Sequence, residues 1–411
     1  MATILGRGSY TALRKAQASL ITLLLITGGG SPANGQAWTP VNVPVLRWRS
    51  VASSADGTRL FGVSGEGPIY ASTNSGVTWT QASSIGPFLP GSYVGLIAVA
   101  CSADGTKVIT AGYDTPICSS TNSGTTWQTN LMFGGYQDVF ASPDGTKFVA
   151  VGWWSGLASS ICVSTNSGAT WNLTQQDDSE YQANWWVKVA ASADGRKIIV
   201  VSSRDVWTST NWGVTWATNA LKNLSYVRCS ADGNRVLAAS WDSLIYCSTN
   251  GGATWTPGTN LFQNNLARLA CSADGSTFIA ASRPKPAYVS TNWGATWSLL
   301  DAPITNWQSI ACSADGCKIV ASQYDYDGGT IYTAQSSPAP ILNIAPSNPG
   351  IGALLSWIVP SIPLMLQQNP DLTSTNWTAV LVEPALNYNS LENEVCVPAP
   401  PGRNFYRLIS K

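Results

Sequence analysis

The sequence predicts an all-β chain built from repeated four-stranded units. Three observations carry this expectation: a composition rich in turn formers and rings, an Asp-Gly phrase that recurs seven times, and a Trp-terminated phrase that recurs six times. The 411 residues include 37 Gly, 23 Pro, 19 Trp and 14 Tyr. Without helix-like apolar runs, such a composition fits short strands joined by tight turns. Only 11% of residues are charged and 44% are hydrophobic, against ~25% charged in an average domain, so a packed core is expected rather than disorder.

The first phrase, SADG or a close variant, places its aspartate at Asp56, Asp104, Asp144, Asp194, Asp232, Asp274 and Asp315. The spacings of 48, 40, 50, 38, 42 and 41 residues suit one four-stranded propeller blade per repeat. The second phrase, STNSGVTW at Ser72 to Trp79, returns around Asn122, Asn166, Asn211, Asn250 and Asn292 and ends each time in Trp. Each unit reads as a strand into SADG, a second strand such as TKVIT (Thr106 to Thr110), a variable connection, a third strand such as PIYAS, and a hairpin into a fourth. Asp-Gly and Asn-x-Gly supply the positive-φ or side-chain-bonded positions that these turns need.

The seventh unit runs through KIVAS and GTIYTAQ (Gly329 to Gln335) and lacks the Asn hairpin. Ala37-Trp38-Thr39-Pro40 repeats the pattern of Thr254-Trp255-Thr256-Pro257, so the missing outer strand is expected from the start of the domain. The expected fold is therefore a seven-bladed β-propeller over residues 38–337, closed by its N-terminal strand. Ser336 to Pro340 reads as a linker. Residues 338–411 then alternate short apolar runs with Pro and Asn turns, which predicts a small C-terminal β-sandwich.

Residues 1–37 read as an export signal: Arg7, Arg14 and Lys15 precede the apolar run Ala18 to Thr27, and Gly35-Gln36-Ala37 resembles a small-x-small cleavage site. Removal of its three cations takes 22 basic residues to 19 against 22 acidic, a net of −3. No later run is long and apolar enough to span a bilayer, so a secreted, periplasmic or cell-surface location is expected.

The second phrase resembles the Asp-box, or BNR-repeat, propellers of sialidases, related glycoside hydrolases and non-catalytic assembly factors of the photosystem II type. Six copies follow the family pattern S-x-D-x-G-x-T-W, except that Asn stands in place of Asp every time. An amide keeps an acceptor oxygen and tolerates the turn. The resemblance covers roughly residues 38 to 337 and implies a structural hairpin on the rim away from the ligand. The Arg-Ile-Pro phrase that sialidases carry before the first blade is missing. Phe405-Tyr406-Arg407-Leu408 resembles the late phrase of C-terminal modules on secreted bacterial proteins.

The chain contains no His, which excludes Ser-His and Cys-His nucleophile pairs, His-ligated zinc and imidazole catalysis. The balanced charge gives no electrostatic footprint for nucleic acid. No catalytic residue, metal ligand or cofactor is assigned. Nine Cys follow the repeat, and most are expected as free packed thiols, because equivalent slots of different blades lie a blade width apart. Cys312 and Cys317, across one turn, are the exception to watch.

The variable connections share one face and are rich in rings. Candidate ligand contacts are Trp153, Trp154, Tyr324 and Tyr326, with the charges Arg49, Lys188, Arg268, Asp325 and Asp327. Trp48, Tyr136, Trp186 and Trp307 stand eight residues before a repeat Asp and are expected to pack between blades. The expected function is a non-catalytic, monomeric binding or scaffold protein that recognises a glycan or a surface protein. A glycosidase with paired carboxylates, Asp325 or Asp327 being one member, and an assembly factor for a membrane complex are the alternatives.

Overall fold

In the computed structural model the described residues are 37–84, 95–153, 159–177, 186–242, 244–260, 268–325, 327–336, 341–347, 352–360, 362–371, 373–398 and 404–410. The export signal read in residues 1–37 therefore lies, but for Ala37, outside them. Every regular element among the described residues is a strand.

Strand β1 (Thr39–Pro40) precedes an antiparallel sheet of β2 (Trp48–Ser53), β3 (Leu60–Ser64), β4 (Pro68–Ser72) and β5 (Thr80–Ser84). A seven-stranded sheet follows, made of β6 (Gly95–Cys101), β7 (Val108–Tyr113), β8 (Thr115–Ser120), β9 (Gln128–Ala141), β10 (Phe148–Trp153), β11 (Ser159–Ser164) and β12 (Asn172–Asp177). In it the long β9 pairs with β8 through its first half and with β10 through its second. Three further four-stranded sheets are β13 (Trp186–Ala191) to β16 (Ala217–Asn219) with β14 (Ile198–Ser202) and β15 (Val206–Ser209) between; β17 (Leu224–Cys229), β18 (Val236–Ser240), β19 (Leu244–Ser248) and β20 (Thr256–Asn260); and β21 (Arg268–Cys271), β22 (Phe278–Ala281), β23 (Lys285–Ser290) and β24 (Ser298–Thr305). The last of the series combines β25 (Trp307–Cys312), β26 (Lys318–Gln323) and β27 (Ile331–Gln335) with β1 as its outer strand. Thr39 pairs with Thr333 and Pro40 with Tyr332, and the Trp38 and Trp307 rings lie 5.3 Å apart. The N-terminal segment thus takes the place that the sequence left open for it.

The SADG turns are built alike. The Ser102 hydroxyl donates to Asp104 Oδ1 at 2.6 Å, the Thr106 amide donates to the same oxygen at 2.9 Å, and the Lys107 amide donates to the Ser102 hydroxyl at 3.0 Å. Gly105 takes φ +65°, a left-handed conformation that suits Gly. The residue three after the Asp then reaches the next sheet: Lys107 Nζ donates to Asp144 O at 3.2 Å, and Lys318 Nζ to Asp56 O at 3.2 Å. The Lys107 stem fills the space beside Gly145, where a Cβ would come within 2.5 Å of it. A second link is pure backbone. Ala55 donates to Ala103 O, Ala103 to Pro143 O, Ala193 to Ala231 O, Ala231 to Ala273 O, Ala273 to Ala314 O, and Ala314 back to Ala55 O, all at 2.6–2.8 Å. Pro143 has no N–H, so the link toward Ala193 is missing from this ring.

The Asn hairpins are also uniform. Asn74 Oδ1 accepts the Thr78 amide at 2.9 Å while its Nδ2 donates to Thr78 Oγ1 at 2.9 Å, and the Ser72 hydroxyl accepts the Gly76 amide at 2.9 Å. The same pair of bonds recurs at Asn122, Asn166, Asn211, Asn250 and Asn292. The amide satisfies both an acceptor and a donor role, which accounts for Asn in every copy.

Apolar side chains fill the spaces between sheets, as where Phe61, Val63 and Ile69 meet Leu96, Val99 and Val108. Trp48, Tyr136 and Trp307 are fully buried in such layers, as expected; the Trp186 side chain lies outside the described residues.

After the linker, β28 (Asn343–Pro346), β29 (Gly352–Ile358), β33 (Glu392–Pro398) and β32 (Ala385–Asn387) form one sheet, and β31 (Thr378–Ala379), β30 (Leu364–Asn369) and β34 (Phe405–Ser410) another. They share a core of Leu355, Trp357, Leu366, Val395 and Tyr406. Ile358, Val359 and Leu391 of this part pack against Ala55, Ala103, Ala273 and Ala314 of the alanine ring. The C-terminal part thereby rests against that ring.

Candidate functional site

Strands β2, β6, β9, β13, β17, β21 and β25 line a central cavity of about 410 Å³. A register shift in β2, β6, β9, β13, β17 and β25 skips the residue seven before the repeat Asp, namely Arg49, Ile97, Gln137, Val187, Ser225 and Gln308. A bulge of this kind re-aims side chains. It adds Arg49, Gln137, Ser225 and Gln308 to the channel lining beside the ordinary inward residues.

The result is an excess of positive charge. Arg49, Lys188, Arg228 and Arg268 line the cavity, and Asp138 is the carboxylate among its described lining residues. Asp138 is 5% exposed. It accepts from Lys188 Nζ at 3.3 Å and from the Val189 amide at 3.1 Å, and lies 3.9 Å from Arg228 Nη1. Three of the cations gather around the Tyr226 ring: Lys188 Nζ at 5.3 Å, Arg228 Cζ at 4.9 Å and Arg268 Cζ at 5.9 Å from its centroid. The electron-rich ring face lowers the cost of holding them together. Burial pulls the Arg228 guanidinium down, but Tyr226 and Asp138 outweigh it and hold its pKa above the usual value. Burial depresses Arg268, with Tyr226 opposing, and its Nε donates to Gln308 O at 2.7 Å. A guanidinium stays charged under either shift.

A second cation and ring group involves Tyr324, whose ring has Arg49 Cζ at 5.2 Å and Arg283 Cζ at 4.9 Å. Of the sequence candidates, Arg49, Lys188 and Arg268 therefore stand in the channel wall, and Tyr324 is tied to it through Arg49. Asp325 and Asp327 are exposed and outside the cavity lining. Trp153 ends β10 by pairing with Ser159 and Gly135, and its side chain, like Trp154 and Tyr326, lies outside the described residues. Tyr226, Gln137 and Gln308 were not among the candidates. The signal for the last two was their place directly after the buried ring at Tyr136 or Trp307.

All nine thiols are free. Cys118 and Cys162 are wholly buried, as expected. Cys101, Cys229, Cys271 and Cys312 border the channel between the cations and the alanine ring and also pack against the apolar layers between sheets. Cys317 bonds to Asp315 O at 3.6 Å and does not pair with Cys312. Among the described residues, no group of three His, Cys, Asp or Glu is placed to hold a metal.

Antiparallel sheets whose inner strands surround one channel, with neighbouring sheets linked through the alanine ring, define a β-propeller. No protein-family model and no curated protein matches the chain. Among solved structures it is similar to YCF48 bound to D1 peptide, with 16% identity, a TM-score of 0.55, and coverage of 74% of this chain and 97% of that one. It is also similar to YCF48 from Cyanidioschyzon merolae, at 16% identity and TM-score 0.56, covering 73% of this chain and 98% of that one. The β-propeller domain of Cps50 (Swd1) from Myceliophteria thermophila shows 10% identity and TM-score 0.56, covering 74% and 100%. At these identities the likeness concerns the fold.

Proposed function

We propose that the chain is an exported, non-catalytic binding protein whose channel mouth receives an anionic segment of a protein partner. In this reading the sheets are the seven blades of one disc, residues 38–337, with β9 shared by two of them, and residues 338–411 form a β-sandwich that covers the far end. One observation carries the function: four cations face one carboxylate in a single cavity, held against Tyr226 and Tyr324. Such a cavity attracts and desolvates an acidic group. The similarity to YCF48, a propeller seen with a bound peptide, supports a peptide ligand over a small molecule.

A glycan reading rests on Trp241, which lines the cavity yet is 48% exposed and so offers a free ring face. It accounts for the ring and leaves the cations unused unless the sugar is acidic. The glycosidase reading has less support, because a pair of carboxylates is required and Asp138 is already committed to Lys188, Val189 and Arg228.

The test is titration calorimetry with acidic, neutral and basic peptides and with acidic and neutral oligosaccharides, at two salt concentrations. Acidic peptides should bind, lose affinity as salt rises, and lose tenfold or more with Arg49→Ala plus Lys188→Ala. Equal binding of neutral peptides, or indifference to the double variant, would remove the proposal. Preference for an acidic oligosaccharide would transfer the site to the glycan reading.

A further inference from the structure

We propose, resting on the acidic-segment reading of the channel mouth, that Tyr226 and Arg268 on the neighbouring inner strands β17 and β21 form the subsite that reads the ligand's carboxylate. The position six before the repeat Asp decides what each inner strand offers its neighbour. There Ser50, Asp138 and Ser309 accept the amides of Val99, Val189 and Val51 at 3.3, 3.1 and 3.2 Å. On three successive inner strands, β13, β17 and β21, the same position holds Lys188, Tyr226 and Arg268 instead. Among the described residues no side chain accepts the amides of Val227, Leu269 and Ile310, which stand where Val51, Val99 and Val189 do. This arc of the wall is therefore rich in donors where its counterparts supply acceptors.

Existing bonds single out two of these donors. Lys188 Nζ already donates to Asp138 Oδ1 and to Gln137 O, each at 3.3 Å. Arg228 Nη1 donates to Val227 O at 2.9 Å and lies 3.9 Å from Asp138 Oδ2. Arg268 uses its Nε, on Gln308 O at 2.7 Å, and its Nη groups have no acceptor among the described residues. The Tyr226 hydroxyl likewise has no hydrogen bond among the described residues, although the residue is 4% exposed and lines the cavity. The Tyr136 hydroxyl is unpaired and fully enclosed, whereas that of Tyr226 is unpaired and not enclosed. The small surface that Tyr226 keeps thus includes its one polar atom, on the cavity side. Arg268 Cζ lies 5.9 Å from the centre of the same ring, which puts both free donors on one short stretch of wall.

A carboxylate carries acceptors only, so it can meet a phenol hydroxyl and a guanidinium with no donor left facing another donor. A carboxamide of the same shape replaces one acceptor with an NH2 group, which then faces a cationic wall and leaves a donor unpaired. The two residues therefore divide the task. Arg268 attracts the ligand by charge, an effect that salt screens. Tyr226 is neutral and acts through contact alone. Removing its hydroxyl leaves the ring, the cations against it and the salt dependence in place, which makes its part separable from theirs.

The test is calorimetry on the intact protein with three peptides: one N-acetylated and C-amidated with a Glu, its Gln counterpart, and a neutral peptide with a free C-terminus. The parent should bind the Glu peptide about tenfold more tightly than the Gln peptide. Tyr226→Phe should weaken the Glu peptide about tenfold while keeping both its salt slope and the urea midpoint of the unliganded protein. Arg268→Gln should weaken binding and flatten the salt slope. Binding of the free-terminus peptide with the same sensitivity to Tyr226→Phe would support the subsite with a terminal carboxylate as its source. Salt-sensitive Glu-peptide binding that is indifferent to Tyr226→Phe would overturn the subsite and leave the acidic-segment function standing. A lower urea midpoint for unliganded Tyr226→Phe would do the same, by showing the hydroxyl already bonded within the protein. No binding of either carboxylate peptide, or equal binding of the Gln peptide, would remove both.

Discussion

Asp138 accepts the Val189 amide at 3.1 Å across the one junction of the alanine ring where a proline removes the backbone donor. Elsewhere a serine fills the same role: Ser50 accepts from the Val99 amide at 3.3 Å and Ser309 from the Val51 amide at 3.2 Å. At the Pro143 junction the serine is replaced by a carboxylate, which also holds Lys188 at 3.3 Å. The anion in the channel is therefore a structural tie as well as a local counter-charge.

Asp138→Ala should destabilise the protein by about 1–3 kcal/mol, because it leaves the Val189 amide without its acceptor and the Lys188 ammonium with Gln137 O but no counter-charge. Asp138→Asn keeps an acceptor for Val189 and should cost less. Urea unfolding monitored by Trp fluorescence measures both, and equal midpoints for the alanine variant and the parent would contradict the tie.

Ala314→Pro removes the donor to Ala55 O and should cost about 1–3 kcal/mol for the orphaned carbonyl. Pro143 occupies the equivalent turn position, preceded by Ser142 as Ala314 is by Ser313, so the backbone there accepts a proline. The readout is the urea midpoint. A change no larger than that of an exposed surface substitution would show that closure does not depend on this bond.

Acid should weaken the SADG turns. Burial raises the carboxyls of Asp104, Asp144 and Asp232, but bonds from Ser102, Ser142 and Ser230 and from the following amides outweigh it and leave each below the usual carboxylate value. A depressed folded pKa gives stability that is present above the unfolded value of about 3.9 and is lost as pH falls through the folded one. Unfolding temperature should therefore drop below about pH 4. Replacing all three by Asn should lower stability at neutral pH and flatten that decline; an unchanged slope would assign acid sensitivity elsewhere.

Leu391 sits at φ +56° with its side chain against the alanine ring, and its carbonyl accepts the Val359 amide at 2.9 Å. Leu391→Asn tolerates the left-handed backbone but loses the apolar contact. Limited proteolysis should then release the C-terminal part faster from the variant than from the parent. Equal rates would show that the contact with Ala55, Ala103, Ala273 and Ala314 does not hold the two parts together.

Much of the fold was legible because it is written in turns. The SADG and Asn phrases require particular φ values and side-chain acceptors, so their spacing marks strands directly. The pairing of Thr39 with Thr333 followed from a four-residue match, since an outer strand carries its own pattern even when it comes from the far end of the chain. The site was less legible. Whether Arg49, Gln137 or Gln308 faces the channel depends on a one-residue bulge, and alternation alone assigns such positions to the opposite side. Tyr226 was missed because nothing local distinguishes it from the rings that pack between sheets.

The pairing of β1 with β27 places the first described strand beside one of the last in the propeller. Most of the disc can condense from contacts between consecutive segments, but this one waits for the largest loop to close. Folding should therefore pass through an open arc with one bare edge. The exposure time of that edge, rather than the stability of any single sheet, governs how easily two nascent chains become entangled.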